Sequence, residues 1–279
     1  MLNIIKADIY RIIRGKALYI TLTVMLALNM LMVISLHVFQ SGTMDTPMGI
    51  TIGIEPEDQE ALNAAMAELQ AITLNGVYVT EVLTQNMENF VWFLLPIFVV
   101  TAAAIFTHGT VKNDIAFGIS RTRLYMSKLM LSVGISVLFL LFYMGTGMLI
   151  ATVISGFGGP APAGHWTNLI QVLGAQLFML IAMVCVGIFF VFTTKRTAAV
   201  NGAFIAFVLI PAVIISLLSI ANPSLERLLY FDMTSRIINL AGLRYMEARD
   251  IAKALGLGAF YMLATTIGGI ALFRRAEIK

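Results

Sequence analysis

The chain has 279 residues, of which 59% are hydrophobic and 12% are charged. Soluble domains carry roughly a quarter of their residues as charged side chains, so this composition excludes a soluble globular protein and indicates one embedded in lipid. The single cysteine excludes a disulfide scaffold. Because the formal net charge is only +3, the positions of the charges say more than their sum.

Residues 1–16 are predicted to form an amphipathic helix. With 100° between successive residues, Leu2 and four isoleucines fall within one arc of about 100°, while Arg11 and Arg14 lie opposite. Such a helix lies in the membrane interface and leads into the first span. The alternative is an ordinary basic flank, with Lys6, Arg11 and Arg14, ahead of the first membrane helix.

Six stretches within 17–279 are apolar enough, and long enough, to be membrane spans. Crossing about 30 Å of hydrocarbon takes roughly 20 residues of helix. Pro96 and Pro211 are expected to kink the second and fifth spans. The predicted spans are 17–39, 90–108, 129–154, 169–193, 198–220 and 254–273.

The segment 40–89 between the first two spans is long and acidic. Pro56, followed by acidic residues, predicts the start of a helix that ends at Asn75-Gly76. This extracellular segment could be a lid or a substrate-contacting element, or a surface helix packed on the ends of the spans. A later outer loop, 222–253, alternates apolar and charged residues, which predicts short amphipathic helices.

Basic residues are concentrated on one side of the predicted bundle. Positively charged loops stay in the cytoplasm, so both termini are predicted to be cytoplasmic, and the basic pI reflects topology rather than nucleic-acid binding. That side holds 13 of the 18 Lys and Arg: Lys6, Arg11, Arg14, Lys16, Lys112, Arg121, Arg123, Lys128, Lys195, Arg196, Arg274, Arg275 and Lys279.

The six predicted spans contain no Asp, Glu, Lys or Arg. A charge in mid-membrane costs about 2.5–3.5 kcal/mol on insertion scales and is retained for function, so a proton-relay transporter or an intramembrane enzyme is disfavoured. The chain also lacks a phosphate-binding glycine loop. We therefore expect no bound cofactor, and the energy for any transport would come from another chain.

Four polar residues within the predicted spans are candidates for a translocation path. They could line such a path, or they could form hydrogen bonds between helices. They are Asn29, Gln171, Gln176 and Asn201.

The predicted cytoplasmic loop 109–128 has a pattern that charge alone does not explain. Ile115, Phe117 and Ile119 could insert into a cleft of another protein, and Gly118 permits a turn. The alternative, a positively charged anchor, accounts for Arg121 and its basic neighbours but not for Phe117.

Three short motifs in this loop resemble a known family. They are Gly109-Thr-Val-Lys-Asn, Gly118-Ile-Ser-Arg and Tyr125-x-Ser-Lys. Together they resemble the coupling loop of ABC-2 type permeases, especially the bacitracin- and lantibiotic-resistance-like group of Gram-positive bacteria. The resemblance implies an all-α fold like that of type V exporters, with six transmembrane helices, an N-terminal interfacial helix, a cytoplasmic coupling helix and extracellular helical segments.

The same resemblance implies a function and partners. The chain would be the permease of an exporter in the bacterial plasma membrane, moving an amphipathic antimicrobial peptide, antibiotic or lipid-like molecule outward. Two permease chains, as a homodimer or related heterodimer, would join two ABC ATPase subunits that bind ATP and Mg²⁺. Helix 1–16 would be the connecting helix, and 112–121 the coupling helix, with contacts from Lys112, Asn113, Asp114, Ile115, Phe117, Gly118 and Arg121.

Two other functions stay open at this point. The chain could be a non-transporting sensor or assembly subunit of a peptide-response complex, in which case the partner of the loop would lack ATPase activity. An intramembrane enzyme would instead need clustered His and Glu, or a Ser/Lys pair, at membrane depth, and the predicted spans lack such a cluster.

Overall fold

The computed structural model describes residues 2–40, 75–107, 109–159, 161 and 163–276. These residues are almost entirely helical, and none of them lies in a strand. Six helices are long and apolar enough to cross a membrane, which confirms an all-α, multi-pass membrane architecture. The helix predicted after Pro56 lies outside the described residues. The six candidate spans are Lys16–Val38, Glu88–Thr107, Arg121–Ser155, His165–Thr194, Thr197–Ile220 and Ala248–Arg275.

Helices are numbered in chain order through the described residues. A π-helical turn, Val99–Ala103, interrupts the second span, and two 3₁₀ segments, Pro223–Phe231 and Leu240–Tyr245, flank α11. The α-helices are α1 Leu2–Arg14, α2 Lys16–Gln40, α3 Tyr78–Gln85, α4 Glu88–Val91, α5 Leu94–Phe98, α6 Ala104–Thr107, α7 Thr110–Ala116, α8 Arg121–Ser155, α9 His165–Thr194, α10 Thr197–Ala221, α11 Met233–Asn239 and α12 Ala248–Arg275.

The second span is an irregular helix around Pro96. Pro96 has no backbone N–H to donate, and the segment around it divides into α4, α5, the π-turn and α6. The Thr101 hydroxyl bonds the Ile97 carbonyl at 2.7 Å and lies 2.6 Å from the Ser132 hydroxyl of α8. These bonds attach the irregular turn to the neighbouring span. By contrast, α10 continues through Pro211 as one helix.

Helix α9 lies at the centre of the bundle, where it packs against α5, α8, α10 and α12. Residues 182–188 of α9 are all buried. Close approach depends on glycine: a Cβ at Gly187 would lie against the ring of Phe98, and one at Gly269 of α12 would lie 2.5 Å from the Tyr125 hydroxyl. Glycines therefore set how closely the spans approach one another here.

Helix α8 begins eight residues before the predicted span 129–154. Ser120 caps it, since its hydroxyl accepts a hydrogen bond from the Arg123 N–H at 3.3 Å, and no breaker follows. Its 35 residues give a length of about 52 Å, well beyond the roughly 30 Å of a hydrocarbon core. Hydropathy detects only the apolar part of such a helix. For this reason the sequence assigned Lys128 to a loop, whereas the residue lies within α8.

The predicted short helices of 222–253 are confirmed. The 3₁₀ segments and α11 occupy this region, and α12 already begins at Ala248 rather than at residue 254. Asp232 caps α11, because its carboxylate accepts a 2.7 Å hydrogen bond from the Ser235 N–H.

Candidate functional site

Helix α7 is a short helix bounded by two glycines. Gly109, with φ of 65°, precedes it, and Gly118, with φ of 82°, follows it. The N–H of Gly118 bonds the Ile115 carbonyl, and the N–H of Ile119 bonds the Asp114 carbonyl, as at a glycine-terminated helix end. The helix therefore covers 110–116 rather than the predicted 112–121, because the left-handed Gly118 ends it.

One side of this loop faces outward and the other packs against the spans. Phe117 is 87% exposed, and Lys112, Asn113 and Gly118 are exposed beside it. Val111 is buried, whereas Ile115 and Ile119 are partly buried against the hydrophobic core. Of the three apolar side chains predicted to enter a partner's cleft, Phe117 is the one that projects.

Arg121 connects the loop to the last helix. Its Nη1 donates to the carbonyl oxygens of Phe273 at 3.1 Å, Arg274 at 2.8 Å and Ala276 at 2.7 Å. These are the carbonyls that a helix end leaves without partners. The guanidinium predicted to contact a partner therefore holds the end of α12 against the start of α8. We call this end of the bundle, where α1, α7 and the end of α12 meet, the loop end.

A buried ion pair joins α1 to α8 at the loop end. Asp8 Oδ2 lies 2.6 Å from Lys128 Nζ, and Asp8 Oδ1 lies 3.2 Å from Arg11 Nη2. Asp8 is 6% exposed and Lys128 is 2% exposed. Asp114 of α7 is close enough to interact electrostatically with all three. These four residues, the charge cluster, link the predicted connecting helix, the predicted coupling helix and the third span.

One feature of the sequence indicates this cluster, although hydropathy alone does not reveal it. Asp8 lies three residues after Ile5 and four before Ile12, so on a helix it falls on the apolar face. An acid at such a position needs a buried partner. The other predicted basic residues of α1 are exposed: Lys6 is on the surface, and Arg14 stacks 4.4 Å above the ring of Tyr10.

Asp114 gives the charge cluster a pH dependence. Burial raises the pKa of this carboxyl above 3.8, with Asp8 adding to the rise and Lys128 and Arg11 opposing it. The carboxylate therefore destabilises the folded state at neutral pH, and this penalty disappears as the pH falls through the raised pKa toward 3.8. We expect Asp114→Asn to raise the thermal midpoint at pH 7, and the difference from wild type to shrink by pH 4. A difference that stays constant across this range would contradict the assignment.

A cavity of about 530 Å³, open on the side where Ile20, Val24 and Leu28 are exposed, lies between α2, the second span and α8. Asn29 borders it and donates from Nδ2 to the Tyr143 carbonyl at 3.0 Å and to the Thr146 hydroxyl at 2.8 Å. The Tyr143 hydroxyl is buried and has no hydrogen-bond partner among the described residues. The wall is otherwise mostly apolar and includes Val24, Leu28, Met32, Trp92, Phe93 and Pro96. This environment suits an amphipathic molecule.

The other three candidate path residues do not border this cavity. Gln176 donates from Nε2 to the Thr84 carbonyl at 2.8 Å and the Ile237 carbonyl at 3.0 Å, which links α9 to α3 and α11. Gln171 is exposed and Asn201 is half-buried on α10. Of the two interpretations made from the sequence, a hydrogen bond between helices describes Gln176, while Asn29 combines such a bond with a place in the cavity wall.

At the end of the bundle away from the loop, His165 forms a polar site that the sequence did not indicate. This residue begins α9 and is buried. Its Nδ1 lies 3.1 Å from Glu81 Oε1, and its Nε2 lies 3.3 Å from the Thr80 hydroxyl. These contacts hold α3 against α9 beside a small cavity of about 220 Å³.

The site residues thus form three groups: the exposed loop around Phe117, the charge cluster behind it, and the cavity beside Asn29. No protein-family model, curated protein or solved structure matches the chain. The function is therefore inferred from these three groups of residues.

Proposed function

We propose that the chain is the membrane subunit of an ATP-driven exporter of the ABC-2 type. The observation that carries this proposal is Phe117, which is 87% exposed on a loop whose other large apolar residues pack into the chain's own core. A lone exposed aromatic residue on an ordered loop suits the anchor of a protein interface. The partner would be a cytoplasmic ABC ATPase that binds ATP and Mg²⁺, in two copies beside two permease chains.

Contacts behind Phe117 connect the loop to several of the spans, so a movement of the loop could reach them. Helix α7 contacts α6 of the second span, and Arg121 holds the end of α12. Asp8 joins α1 to α8 through Lys128. A displacement of the loop by ATPase closure would therefore reach the first, second, third and sixth spans together. The loop end would be cytoplasmic in a bacterial plasma membrane, with both termini on that side, in accord with the basic loops.

The cargo in this proposal is an amphipathic molecule, such as an antimicrobial peptide, an antibiotic or a lipid-like compound. The 530 Å³ cavity supports it, because the wall is apolar apart from a few polar groups such as the Asn29 amide. Such a combination is typical of sites that bind partly apolar ligands. Export, rather than catalysis, fits a chain whose predicted spans carry no charged residue.

The test replaces Phe117 with alanine. A well-packed aromatic anchor contributes about 2 kcal/mol or more to binding, so the partner ATPase should bind roughly 30-fold more weakly. We expect Phe117→Ala to lose most of the ATPase that co-purifies with the wild-type chain, along with export. Phe231→Ala is the matched control, since Phe231 is also exposed but lies in the 3₁₀ segment at the other end of the bundle. Both variants should insert into the membrane normally.

Two results would contradict the proposal. Phe117→Ala could retain the ATPase as well as wild type does, which would show that the loop is not the docking surface. The partner that co-purifies through Phe117 could lack ATPase activity, which would favour a sensor or assembly subunit of a peptide-response complex.

A further inference from the structure

An apolar groove of about 420 Å³ lies under helix α1, separate from the cavity beside Asn29. Four isoleucines of α1, Ile5, Ile9, Ile12 and Ile13, form one wall, and the stretch of α8 from Met130 to Phe139 forms the other. Ile9, Ile13, Met130 and Leu138 are exposed. The groove is therefore open to the surroundings of the spans rather than enclosed by the protein.

The position and length of the groove match half of a bilayer. From Met130 to Phe139, α8 rises by about 14 Å, close to half of a roughly 30 Å hydrocarbon core. The groove starts beside α1, an amphipathic helix at the loop end, and runs along apolar residues toward the middle of the span. Its location is where an acyl chain of one leaflet lies.

Charges at the mouth of the groove are positive. Asp8 is the sole acid of residues 1–16, and it is buried against Lys128 and Arg11. Lys6 and Lys16 are exposed, and each lies within two residues of an apolar residue that lines the groove. Burial of the acid thus leaves a net positive surface at headgroup level, which attracts anionic lipid.

We propose that this groove is a binding site for an anionic phospholipid, with one acyl chain between α1 and α8 and the headgroup at Lys6 and Lys16. The apolar wall alone does not favour a bound lipid over bulk lipid, because the bilayer offers the same apolar surroundings. The two bases supply the preference, roughly five-fold for each one close to the headgroup. This inference does not depend on the proposed transport function.

Gly134 allows the groove to be filled without disturbing the core. It lines the groove, it is exposed, and a Cβ added there meets no atom within 4 Å. Gly134→Phe would place a ring where the acyl chain lies. Gly145→Phe is the matched control, because Gly145 is also exposed on α8, also has no atom within 4 Å of an added Cβ, and does not line the groove.

The experiment measures phosphatidylglycerol bound to the purified full chain by native mass spectrometry, and the rise in thermal midpoint when phosphatidylglycerol replaces phosphatidylcholine in nanodiscs. Wild type and Gly145→Phe should retain about one phosphatidylglycerol per chain and show the rise. Gly134→Phe should lose both. A variant with Lys6 and Lys16 both replaced by Gln leaves the groove intact and should lower the preference for phosphatidylglycerol at least five-fold.

Three outcomes would overturn the site. Gly134→Phe could retain phosphatidylglycerol as Gly145→Phe does, or the double Gln variant could keep the full preference. Water-soluble glycerophosphate could raise the thermal midpoint as much as the phospholipid does, which would show that no acyl chain is bound. The double Gln variant alters exposed residues only, so it tests the proposal even if Gly134→Phe fails to fold.

Discussion

Replacing Asp8 with asparagine is expected to lower the free energy of unfolding by about 3–5 kcal/mol, the usual effect of leaving one member of a buried ion pair without its partner. Lys128 is 2% exposed, and its ammonium has Asp8 Oδ2 at 2.6 Å as its hydrogen-bond partner. In the variant the ammonium faces a neutral amide in place of the carboxylate, and among the described residues Asp114 is the remaining acid that attracts it. A buried charge with so little compensation is costly.

The reverse change is expected to have a smaller effect. In Lys128→Met, the Asp8 carboxylate keeps the Arg11 guanidinium at 3.2 Å, so its charge is still balanced. The double variant Asp8→Asn/Lys128→Met should recover much of the stability lost in Asp8→Asn, because both charges are removed together. Of the three variants, Asp8→Asn should therefore have the lowest free energy of unfolding. This asymmetry distinguishes an ion pair from a packing contact.

These stabilities can be measured by SDS titration of the purified chain in detergent micelles. Lys112→Met serves as the control, since Lys112 is exposed on α7 and its replacement should leave the transition unchanged. Equal losses in the two single variants, with simple additivity in the double variant, would show that Asp8 and Lys128 do not interact energetically.

The second large effect is expected from Gly187→Ala, which should destabilise the fold by about 1–3 kcal/mol through overpacking. The added methyl group would lie against the ring of Phe98, which is fully buried and packs edge-on against Phe204 with ring centroids 5.0 Å apart. Since Phe98 has a buried ring on its other side, it cannot retreat freely. The steric conflict would force α5 away from α9.

The matched control for this prediction is Gly202→Ala on α10, where an added Cβ meets no atom within 4 Å. That change should be neutral or slightly stabilising, because alanine favours helix over glycine by about 0.5–1 kcal/mol. Adding Phe98→Leu to Gly187→Ala should restore part of the loss by making room for the methyl group. A loss as large in Gly202→Ala as in Gly187→Ala would contradict the packing explanation.

Local sequence patterns predicted the spans and the amphipathic helix 1–16, because both depend on where apolar residues recur along the chain. Hydropathy missed the first turns of α8 and α12, since polar residues such as Lys128 and Lys253 continue a helix without adding to its apolar run. It predicted a kink at Pro96 but not the π-helical turn, Val99–Ala103, that follows it. The ends and interruptions of helices thus depended on capping and tertiary contacts.

Contacts between distant residues could not be predicted from a single sequence. Asp8 and Lys128 are 120 positions apart, and Arg121 contacts carbonyls more than 150 positions away. The loop sequence predicted partner contacts for Phe117 and Arg121 alike, and only the structure separates an exposed side chain from one that ties two helices together. The contacts of Gln176 were equally unpredictable. Its amide donates hydrogen bonds to carbonyls of α3 and α11, and no regular spacing in the sequence relates those helices to Gln176.

The length of α8 has a mechanical consequence. This unbroken helix starts at the loop that carries Phe117 and ends at Ser155, just before Gly156 and Phe157, whose carbonyls accept hydrogen bonds from the N–H groups of Gly76 and Val77. The backbone at Gly76 and Val77, within the long acidic segment 40–89, is therefore attached to the far end of a single stiff helix. The two ends of this helix are about 52 Å apart. A tilt at the loop end would therefore move the far end directly, without a chain of rearranging side chains between them.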